Sequence, residues 1–467
     1  MTLHDLLVEL RQAPLVASVQ ADPGTPLDHP DALVRLAQSS IAEGVRVLRL
    51  QGIENIKAIR KATGAPVVGL LKREFTPHHV YLTSTMLDVL ALISAGCEGV
   101  SLDGTRRHRP EGDSLAKMIE AIHAHGRLAV ADVDTLDSAH YAKECGADML
   151  TTALAGYTDE SVMTVGPDFG VLAAAATLGL PVFAEGRYSQ RWHVEAAMRI
   201  GAASVVVGGA LNDPLKQTRA LSPTLPPKRP VGAVDLGGTW LRFALFDPSW
   251  KLLKMDRVET PATHAVRIEW VRSRAHGLGL AAVGISSGGT IDPRTGVVVE
   301  SKGTIPDHAG HGFGDLGLDI PIRALNDGLA TAWGHACHPA FAARRVATLA
   351  LGTGVGCGFV AEQRIWMGPH GEYPRLNDLP LAGGCTVEEA LGGSSADAEG
   401  ALDAAREAVR VLEGLYFPER IVLAGSVGLG RLGEALAREN PKVVGSPFGE
   451  NAGLYGAAAL ALFPPPT

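Results

Sequence analysis

The chain has 467 residues, of which 46% are hydrophobic and 20% are charged. This length predicts two or three domains, and the composition is that of globular proteins with buried cores. The formal net charge of −8 argues against nucleic-acid binding, which needs a positive surface that displaces counterions from phosphates. The 55 glycines recur in short clusters, which favours phosphate-binding loops over a fibrous protein.

The cysteines and the N-terminus indicate the compartment. Five dispersed cysteines without paired spacing are typical of reduced intracellular thiols. Residues 1–12 include Asp5 and Glu9 and lack the basic and then apolar pattern of a secretory signal. No apolar run approaches the roughly 18 residues that a membrane span needs. We therefore expect a cytoplasmic protein that does not bind membranes.

The first 210 residues repeat one unit, in which a short apolar run is followed by a helical pattern. Strands that alternate with helices predict a parallel sheet, and eight units favour a closed (β/α)₈ TIM barrel over an open sheet. The predicted strands are Pro14–Gln20, Val45–Gln51, Pro66–Lys72, Gly99–Asp103, Arg127–Val133, Asp148–Thr152, Pro181–Glu185 and Ser204–Gly208. The predicted helices include Asp31–Glu43, Thr83–Ala95, Asp113–His125, Ser138–Cys145 and Trp192–Ile200.

A proline-rich stretch, Asp213–Pro230, follows this pattern. Because proline lacks a backbone donor and has a fixed φ, the stretch is predicted to be a semi-rigid linker without helix or central strand. Beyond it, Val231–Asp235 and Trp240–Phe246 flank a tight glycine turn and predict a hairpin. We therefore expect α/β domains at residues 1–220 and 231–467, joined by a linker at 221–230.

Polar residues end most of the predicted barrel strands. Barrel enzymes carry their chemistry at these carboxyl ends, and a charged residue after an apolar run is costly unless it faces a polar cavity. The set therefore predicts one polar site, although any single member could simply cap the next helix. These residues are Gln20, Arg49, Lys72, Asp103, Asp132 and Glu185.

The last two barrel strands end in glycine-containing turns. Loops after strands seven and eight commonly bind phosphate through backbone amides, so Gly186, Arg187, Gly208 and Gly209 are predicted phosphate contacts. A lysine together with carboxylates suits proton transfer at a carbon next to a carbonyl. These residues therefore indicate a small phosphorylated substrate.

Several separate motifs resemble the N-acetylmannosamine-6-phosphate 2-epimerase family. That family interconverts N-acetylmannosamine 6-phosphate and N-acetylglucosamine 6-phosphate without a redox cofactor, and the resemblance runs from about Ala17 to Gly209. The motifs are Val67–Arg73, Leu102–Arg107 with Arg109 and Pro110, Ala131–Asp132, Thr151–Thr158 and Ala184–Tyr188.

The resemblance implies roles for individual residues. Lys72 matches the proton-abstracting base, and Glu185 matches its acidic partner. Substrate-contacting positions are matched by Gln20, Arg49 and Asp132.

One departure from the epimerase family follows the last strand. The family often has a serine there and a basic residue a few positions later, where this chain has Gly209 and Asp213. This difference predicts weaker phosphate binding, with the backbone amides of Gly208 and Gly209 as the remaining donors.

Two glycine-rich turns bracket an Asn-Asp pair in the second half. Glycines let the backbone approach phosphates closely, and an aspartate at a strand end can hold hydrated magnesium. The alternatives are a plain hairpin turn and, for Asp327, a mere cap on a helix beginning at Gly328. The three motifs are Val231–Thr239, Ala324–Gly328 and Leu351–Gly358.

With Ile421–Ser426 and Ala452–Ala458, these motifs resemble the ROK family of sugar kinases and repressors. The resemblance implies an actin/hexokinase-like (ribonuclease H-like) fold, with ATP and magnesium as cofactors. It gives Asp327 as the general base for the sugar 6-hydroxyl, and Asn326 and Glu372 as sugar contacts. The ATP-phosphate and magnesium positions are Asp235, Gly237, Gly238, Thr239, Gly352, Thr353 and Gly354.

Two motifs of the ROK family are altered here. Its structural zinc needs one histidine and three cysteines, but Arg375 stands at the histidine position and only Cys385 remains. One thiolate cannot complete a tetrahedral site, so we expect no zinc there. A proline-containing turn near the sugar is replaced by Ser286–Gly289, which affects substrate choice.

The fusion of the two halves indicates the substrate. A kinase that makes N-acetylmannosamine 6-phosphate would feed the epimerase directly, in two consecutive steps of sialic acid breakdown. The alternatives are a kinase for another hexose or N-acetylhexosamine, such as glucose or N-acetylglucosamine, and a non-catalytic sugar-sensing ROK domain. The expected partners are amino sugars and sugar phosphates; a homo-oligomer is compatible with the sequence, which does not set the oligomeric state.

Overall fold

The computed structural model describes residues 1–75, 80–164, 166–222, 225–301, 304–341, 345–393, 395 and 400–466. The chain forms two compact units, Met1–Ser222 and Pro223–Thr467. None of the described helices is both long and apolar enough to cross a membrane.

The first unit is a closed barrel of eight parallel strands. Each strand pairs with the next along the chain, and β1 pairs with β8 to close the ring. The predicted TIM barrel is thereby confirmed, and the open-sheet alternative is wrong. Its strands are β1 Leu15–Val19, β2 Leu48–Gln51, β3 Val67–Leu70, β4 Gly99–Asp103, β5 Leu128–Asp132, β6 Met149–Thr151, β7 Val182–Glu185 and β8 Ser204–Val207. Its helices are α1 Leu3–Gln12, α2 Pro30–Ala42, α3 Ile53–Thr63, α4 Met86–Ser94, α5 Leu115–Ala124, α6 Leu136–Glu144, α7 Phe169–Ala176, α8 Arg191–Ile200, α9 Gly209–Asn212 and α10 Pro214–Leu221.

Helix α1 closes the amino-terminal end of the barrel. Leu6 and Leu10 are buried with Val16, Val47 and Met149, which lie at or just before the starts of their strands. Thr2 caps the helix in a capping box with Asp5, which satisfies backbone donors at its first turn. The opposite mouth of the barrel is therefore the one left for a site.

The predicted linker is partly wrong, because Pro214–Leu221 forms helix α10. Pro214 occupies the first turn, where a missing N–H costs nothing and a φ near −65° suits a helix. Asp213 supplies the N-cap by accepting a hydrogen bond from the Lys216 amide at 2.9 Å. Pro223 and Thr224, which also belong to the predicted linker, lie outside the described residues.

The second unit contains two five-stranded sheets of the same topology. Each has a three-stranded antiparallel meander. The first strand of the meander also pairs in parallel with a fourth strand, which in turn pairs in parallel with a fifth. This repeated arrangement confirms the predicted actin-like kinase fold. The strands are β9 Val231–Leu236, β10 Trp240–Phe246, β11 Leu252–Glu259, β12 Val283–Ser287, β13 Thr290–Ile291, β14 Val298–Glu300, β15 Ile322–Asn326, β16 Arg345–Leu351, β17 Val355–Ala361, β18 Arg364–Ile365, β19 Arg420–Ala424 and β20 Val443–Gly445. The helices are α11 His264–Ala275, α12 Asp327–Cys337, α13 Val387–Leu391, α14 Ala401–Tyr416, α15 Gly425–Gly428, α16 Arg431–Glu439 and α17 Ala452–Leu462.

Helices α12 and α17 cross at a point where both carry glycine. A Cβ added to Gly334 would lie 2.8 Å from the Gly456 Cα atom, closer than side chains allow. The two backbones therefore approach closely, with α12 packed on β16 and β17 of the second sheet and α17 packed on β9 and β12 of the first.

The compactness of each unit leads to a prediction about fragments. Dividing the chain after Ser222 should give two soluble pieces, each with the activity implied by its own motifs, because each unit has its own hydrophobic core. Circular dichroism and separate assays of the two fragments would check this. An unfolded or inactive fragment would contradict the independence of the units.

Two candidate active sites

The first site lies at the carboxyl ends of the barrel strands and is organised by Arg49 at the end of β2. Its guanidinium is buried and donates from Nη2 to Asp132 Oδ2 at 2.6 Å and to Ser101 Oγ at 3.0 Å. It also donates from Nη1 to Glu185 Oε2. The Ser101 hydroxyl donates to Asp132 Oδ1 at 2.7 Å. Four strands thus contribute to one connected network.

The charges in this network support one another. Burial disfavours the charged form of Arg49, but the carboxylates of Asp132 and Glu185 outweigh this effect and raise its pKa. Burial also raises the pKa of Asp132, against the opposing effect of Arg49. Removal of Arg49 would leave the two carboxylates without a cation at a buried place, which is strongly destabilising.

Lys72 lies at the same mouth, just after β3. Its Nζ donates to Gln20 Oε1 at 2.7 Å, and Gln20 Nε2 donates to Ser18 Oγ at 2.7 Å. Although Lys72 keeps access to solvent, desolvation by the surrounding protein lowers its pKa, and the positive charge of Arg49 lowers it further. Both effects favour the neutral amine, which is the form that can accept a proton.

Glu185 is held in place through both its backbone and its carboxylate. The Thr152 hydroxyl accepts from the Glu185 amide at 3.0 Å and donates to the Glu185 carbonyl at 2.8 Å. The Thr151 hydroxyl donates to Oε2 at 3.3 Å. The negative charge of Glu185 raises the pKa of Lys72 and so partly opposes the effects of burial and of Arg49.

The side chain of Arg187, one of the predicted phosphate contacts, bonds to protein groups in this structure. Its guanidinium donates to the carbonyls of Ala155 at 2.9 Å and Gly166 at 2.8 Å, and to Thr164 Oγ1 at 3.0 Å. The Arg187 side chain therefore fastens the loop after β6. Its contact with phosphate, like those of Gly186, Gly208 and Gly209, remains a prediction.

Asp103 lies at a strand end but outside the Arg49 network. Its carboxylate is buried and accepts from the Thr105 amide at 2.8 Å and from Arg107 Nη2 at 2.6 Å. These bonds fix the loop after β4, so Asp103 supports the barrel mouth through that loop.

Two further residues near this site were missed by the sequence analysis. Tyr81 is half-buried, and its pKa is raised by burial and by the charges of Asp132 and Asp103. Lys216, on α10, packs its Cδ atom 3.4 Å from the position that a Cβ on Gly209 would occupy. The prolines around Lys216 concealed the helix that carries it, and Tyr81 stands in no motif.

The second site is built at the carboxyl ends of β9, β12 and β15. The strand register aligns Asp235 with Ser286, and Ser286 with Leu325, so the end of β9 and the Asn-Asp pair lie at one edge of the sheet. Asp235 is buried and pairs with Arg242. Its carboxylate also packs against Gly453, where an added Cβ would lie only 2.7 Å from it.

Asn326, not Asp327, caps helix α12. Its Oδ1 accepts from the amides of Gly328 at 3.0 Å and Leu329 at 3.4 Å, and its Nδ2 donates to the Gly289 carbonyl at 3.0 Å. The alternative in which Asp327 caps a helix beginning at Gly328 is therefore wrong. Asp327 is the first helical residue, which leaves its carboxylate available for another role.

Asp327 lies close to other carboxylates. Burial raises its pKa, and the negative charges of Asp235 and Glu388 raise it further, whereas a hydrogen bond from the Gly328 amide at 2.8 Å opposes the shift. A group of carboxylate oxygens is the donor set that magnesium prefers. The ligand atoms of Asp235, Asp327 and Glu388 are not all within 4.8 Å of one another in the described structure, so magnesium binding near Asp235 remains a prediction.

The second glycine loop follows β16, and the carboxylate of Glu388 packs against it. The Gly352 amide donates to the Gly354 carbonyl at 3.0 Å, which makes a tight turn. A Cβ on Gly354 would stand 2.8 Å from Glu388 Oε1, and Glu388 Oε2 accepts from the Val355 amide at 2.9 Å. Glu388 lies three residues after Cys385 in the altered zinc motif, but nothing in that motif indicated a role for it.

In the first glycine turn, close packing likewise leaves no room for a side chain at Gly238. A Cβ there would lie 2.9 Å from the Thr304 carbonyl. The Gly237 amide donates to the Trp240 carbonyl at 3.0 Å, and Thr239 completes the turn between β9 and β10. This geometry keeps the turn short, as close approach to a phosphate requires.

The remaining predicted sugar and zinc positions lie in one irregular region. Glu372 is exposed, and hydrogen bonds to its carboxylate from its own amide and from the His370 amide, the latter at 2.8 Å, lower its pKa. Arg375 pairs with Glu300, and Cys385 is half-buried against a hydrophobic cluster. The role of Glu372 in sugar binding remains a prediction.

Comparison with known proteins is consistent with both sites. Residues 33–222 match the family NanE, described as "Putative N-acetylmannosamine-6-phosphate epimerase", and residues 231–381 match the ROK family. The bifunctional enzyme NanE/NanK of Brucella melitensis is 31% identical over 514 aligned residues, which cover 97% of this chain and 97% of the relative.

Two solved structures resemble the separate halves. The N-acetylmannosamine-6-phosphate 2-epimerase from Clostridium perfringens is 34% identical, with a TM-score of 0.46, and the match covers 47% of this chain and 96% of that one. A ROK family glucokinase from Streptomyces griseus is 20% identical, with a TM-score of 0.43, and covers 50% of this chain and 99% of that one. With an epimerase unit and a ROK kinase unit aligned over nearly its whole length, the chain belongs to the family of bifunctional NanE/NanK enzymes.

Proposed function

We propose that this enzyme phosphorylates N-acetylmannosamine at its 6-hydroxyl with ATP and converts the product to N-acetylglucosamine 6-phosphate. The observation that carries the proposal is the full-length match to a bifunctional relative, in which both family matches occur in one chain. The substrates are small amino sugars and sugar phosphates, and the enzyme acts in the cytoplasm.

In the epimerase unit, Lys72 removes the proton from carbon 2 of the ring-opened sugar. Carbon 2 lies next to the carbonyl at carbon 1, so its hydrogen is acidic. Glu185, once it has taken up a proton from solvent, returns that proton on the opposite face, which inverts the centre and leaves Lys72 to release its proton to solvent. The lowered pKa of Lys72 favours the neutral amine that this step needs.

In the kinase unit, Asp327 accepts the proton of the 6-hydroxyl while the phosphoryl group is transferred. Magnesium, when bound with ATP, neutralises charge on the phosphates. Asp235 would hold it, and the turns at Gly237–Thr239 and Gly352–Gly354 would cradle the phosphates. The raised pKa of Asp327 makes it a stronger base than an ordinary carboxylate.

The epimerase family often has a basic residue where this chain has Asp213. Lys216 replaces that residue as the cation that binds the substrate phosphate. Its Nζ lies 3.0 Å from Asp213 Oδ2 and 3.5 Å from Asp22 Oδ2, and its charge lowers the pKa of Lys72. The ammonium group therefore reaches the same mouth as the base.

The variant Lys216→Met tests this role. We expect the KM for N-acetylmannosamine 6-phosphate to rise about 10-fold or more, the effect of losing a hydrogen bond to a charged group, while kcat stays close to its original value. Lys117→Met, at an exposed position on α5, is the matched control. A fall in kcat with unchanged KM would contradict a phosphate-binding role.

The pH profile of the epimerase tests the environment of Lys72. Because the neutral amine is the active form, the acid limb of kcat/KM should lie below the ordinary lysine pKa of about 10.4. Gln20→Glu places a negative charge beside Nζ and should move the limb to higher pH. Asp22→Asn removes a charge that raises the Lys72 pKa and should move it to lower pH; shifts in the same direction would contradict Lys72 as the base.

A second candidate activity for the kinase unit is phosphorylation of another hexose or N-acetylhexosamine, which the altered turn at Ser286–Gly289 favours. A coupled ADP-release assay across glucose, mannose and their N-acetylated amines separates the two. The proposal expects the highest kcat/KM with N-acetylmannosamine. A clear preference for another sugar would replace it, and no ADP release with any sugar would indicate a non-catalytic unit.

A further inference from the structure

A cluster of two histidines and one aspartate lies in the kinase unit, apart from the residues placed in its active site. His264 is the first residue of α11, and His311 and Asp315 come from the segment between β14 and β15. One ligand atom from each lies within 4.8 Å of the others, and His264 Nε2 is 3.1 Å from Asp315 Oδ2. In the part of the chain that the structure describes, no other three His, Cys, Asp or Glu residues have ligand-like spacing.

The two imidazole rings are stacked face to face. Their centroids are 4.4 Å apart and their planes differ by 9°. Asp307 Oδ1 is 3.0 Å from His311 Nε2, and Asp307 Oδ2 accepts from the His264 amide at 2.7 Å. A carboxylate that orients a histidine ring is the usual support for a metal ligand.

We propose that His264, His311 and Asp315 bind a divalent transition-metal cation such as Zn²⁺, at a site separate from the magnesium of phosphoryl transfer. Imidazole nitrogen and carboxylate oxygen are donors that zinc accepts, with bond lengths of about 2.0–2.2 Å. Water would complete the coordination. The site uses none of the cysteines.

The side chains can close around such an ion. With bonds of this length, ligand atoms stand about 3.4 Å apart in a tetrahedron; since all the ligand atoms lie within 4.8 Å of one another, no pair needs to approach by more than about 1.4 Å. The Asp315 side chain is 61% exposed and that of His311 is 40% exposed, which leaves both room to rotate. The nearby cation Arg267 is already bound to the carbonyl oxygens of Pro261 and Asp307.

A metal at this site would join two parts of the kinase unit. It would link the start of α11 to residues 307–315, which also contain His308. His308 Nε2 lies 3.0 Å from Ser287 Oγ and 3.1 Å from the Gly288 carbonyl. The metal would therefore brace the turn at Ser286–Gly289, and we expect it to raise the melting temperature of the kinase unit.

The test uses the full chain after treatment with a chelator, without nucleotide, and with Co²⁺ and Zn²⁺ as probes. We expect one Co²⁺ per chain, detected by its visible absorption and displaced by Zn²⁺. His311→Asn and Asp315→Asn should each weaken binding by at least about 10-fold, since loss of an orienting partner alone costs this much. Epimerase and kinase activities report whether each variant is folded.

Two controls complete the design. His276→Asn changes an exposed histidine at the other end of α11, and Cys385→Ser removes the only remaining cysteine of the altered zinc motif; both should bind the metal normally. The proposal is overturned if the chain does not bind one ion, if both site variants bind as tightly as the original, or if either control loses binding.

Discussion

Replacing Asp327 with asparagine is expected to lower the kinase turnover number by at least about 10²-fold, the low end for general-base catalysis. An amide has nearly the shape of the carboxylate but cannot accept the proton of the 6-hydroxyl. The loss should appear mainly in kcat and much less in ATP binding, because the contribution of a base is made in the transition state. Steady-state kinetics with N-acetylmannosamine and ATP would measure it.

In this variant, loss of the catalytic base can be distinguished from loss of the helix cap. Asn326 caps α12, so the substitution leaves the cap intact, and we expect a near-normal melting temperature. Epimerase activity in the same chain is the internal control. Asp403→Asn, at an exposed position on α14, is the matched control in the kinase unit. A variant that keeps most of its turnover would require another base.

Replacing Lys72 with methionine should abolish exchange of the carbon 2 hydrogen with deuterated water. Methionine has a similar length but no amine, so no proton can be taken from the sugar on that face. We expect a rate loss of at least about 10²-fold, measured by proton NMR of N-acetylmannosamine 6-phosphate. Kinase activity in the same chain should be unchanged.

A surface lysine provides the control for this experiment. Lys57 is exposed on α3, where it pairs with Glu54 at 3.2 Å. Lys57→Met should therefore exchange at the original rate. Exchange at the original rate in Lys72→Met as well would remove Lys72 from the role of base.

The barrel and the positions of its strand-end residues could be predicted because they depend on local pattern. Eight alternating units indicated the barrel, and the carboxyl ends of parallel strands must meet at one mouth. The central position of Arg49 could not be predicted. It depends on three side chains from separate strands converging on one buried guanidinium, and no spacing in the sequence encodes that distance.

Helices were missed where their signals were weak or conflicting. The prolines of Asp213–Pro230 concealed α10, although proline is favoured in the first turn of a helix. For α1, a signal was present in the apolar spacing of Leu6 and Leu10 and in the Thr2 cap. The glycines at both ends of α3 were clues of the same kind.

In the kinase unit, the motifs identified the turns but not all of the carboxylates beside them. Glu388 reaches Gly354 from α13, which belongs to a different part of the chain. Similarly, which of Asn326 and Asp327 caps α12 depends on the residue at which the helix begins. Sequence patterns do not locate a helix start to within one residue.

The central claim, that one chain performs both steps in succession, is tested most directly by a single reaction in deuterated water. The purified protein is given N-acetylmannosamine, ATP and magnesium, and the products are identified by NMR. The account predicts one ADP for each sugar phosphorylated and formation of N-acetylglucosamine 6-phosphate that carries deuterium at carbon 2. Failure to phosphorylate the sugar, or a product that stays as N-acetylmannosamine 6-phosphate with hydrogen at carbon 2, would contradict it.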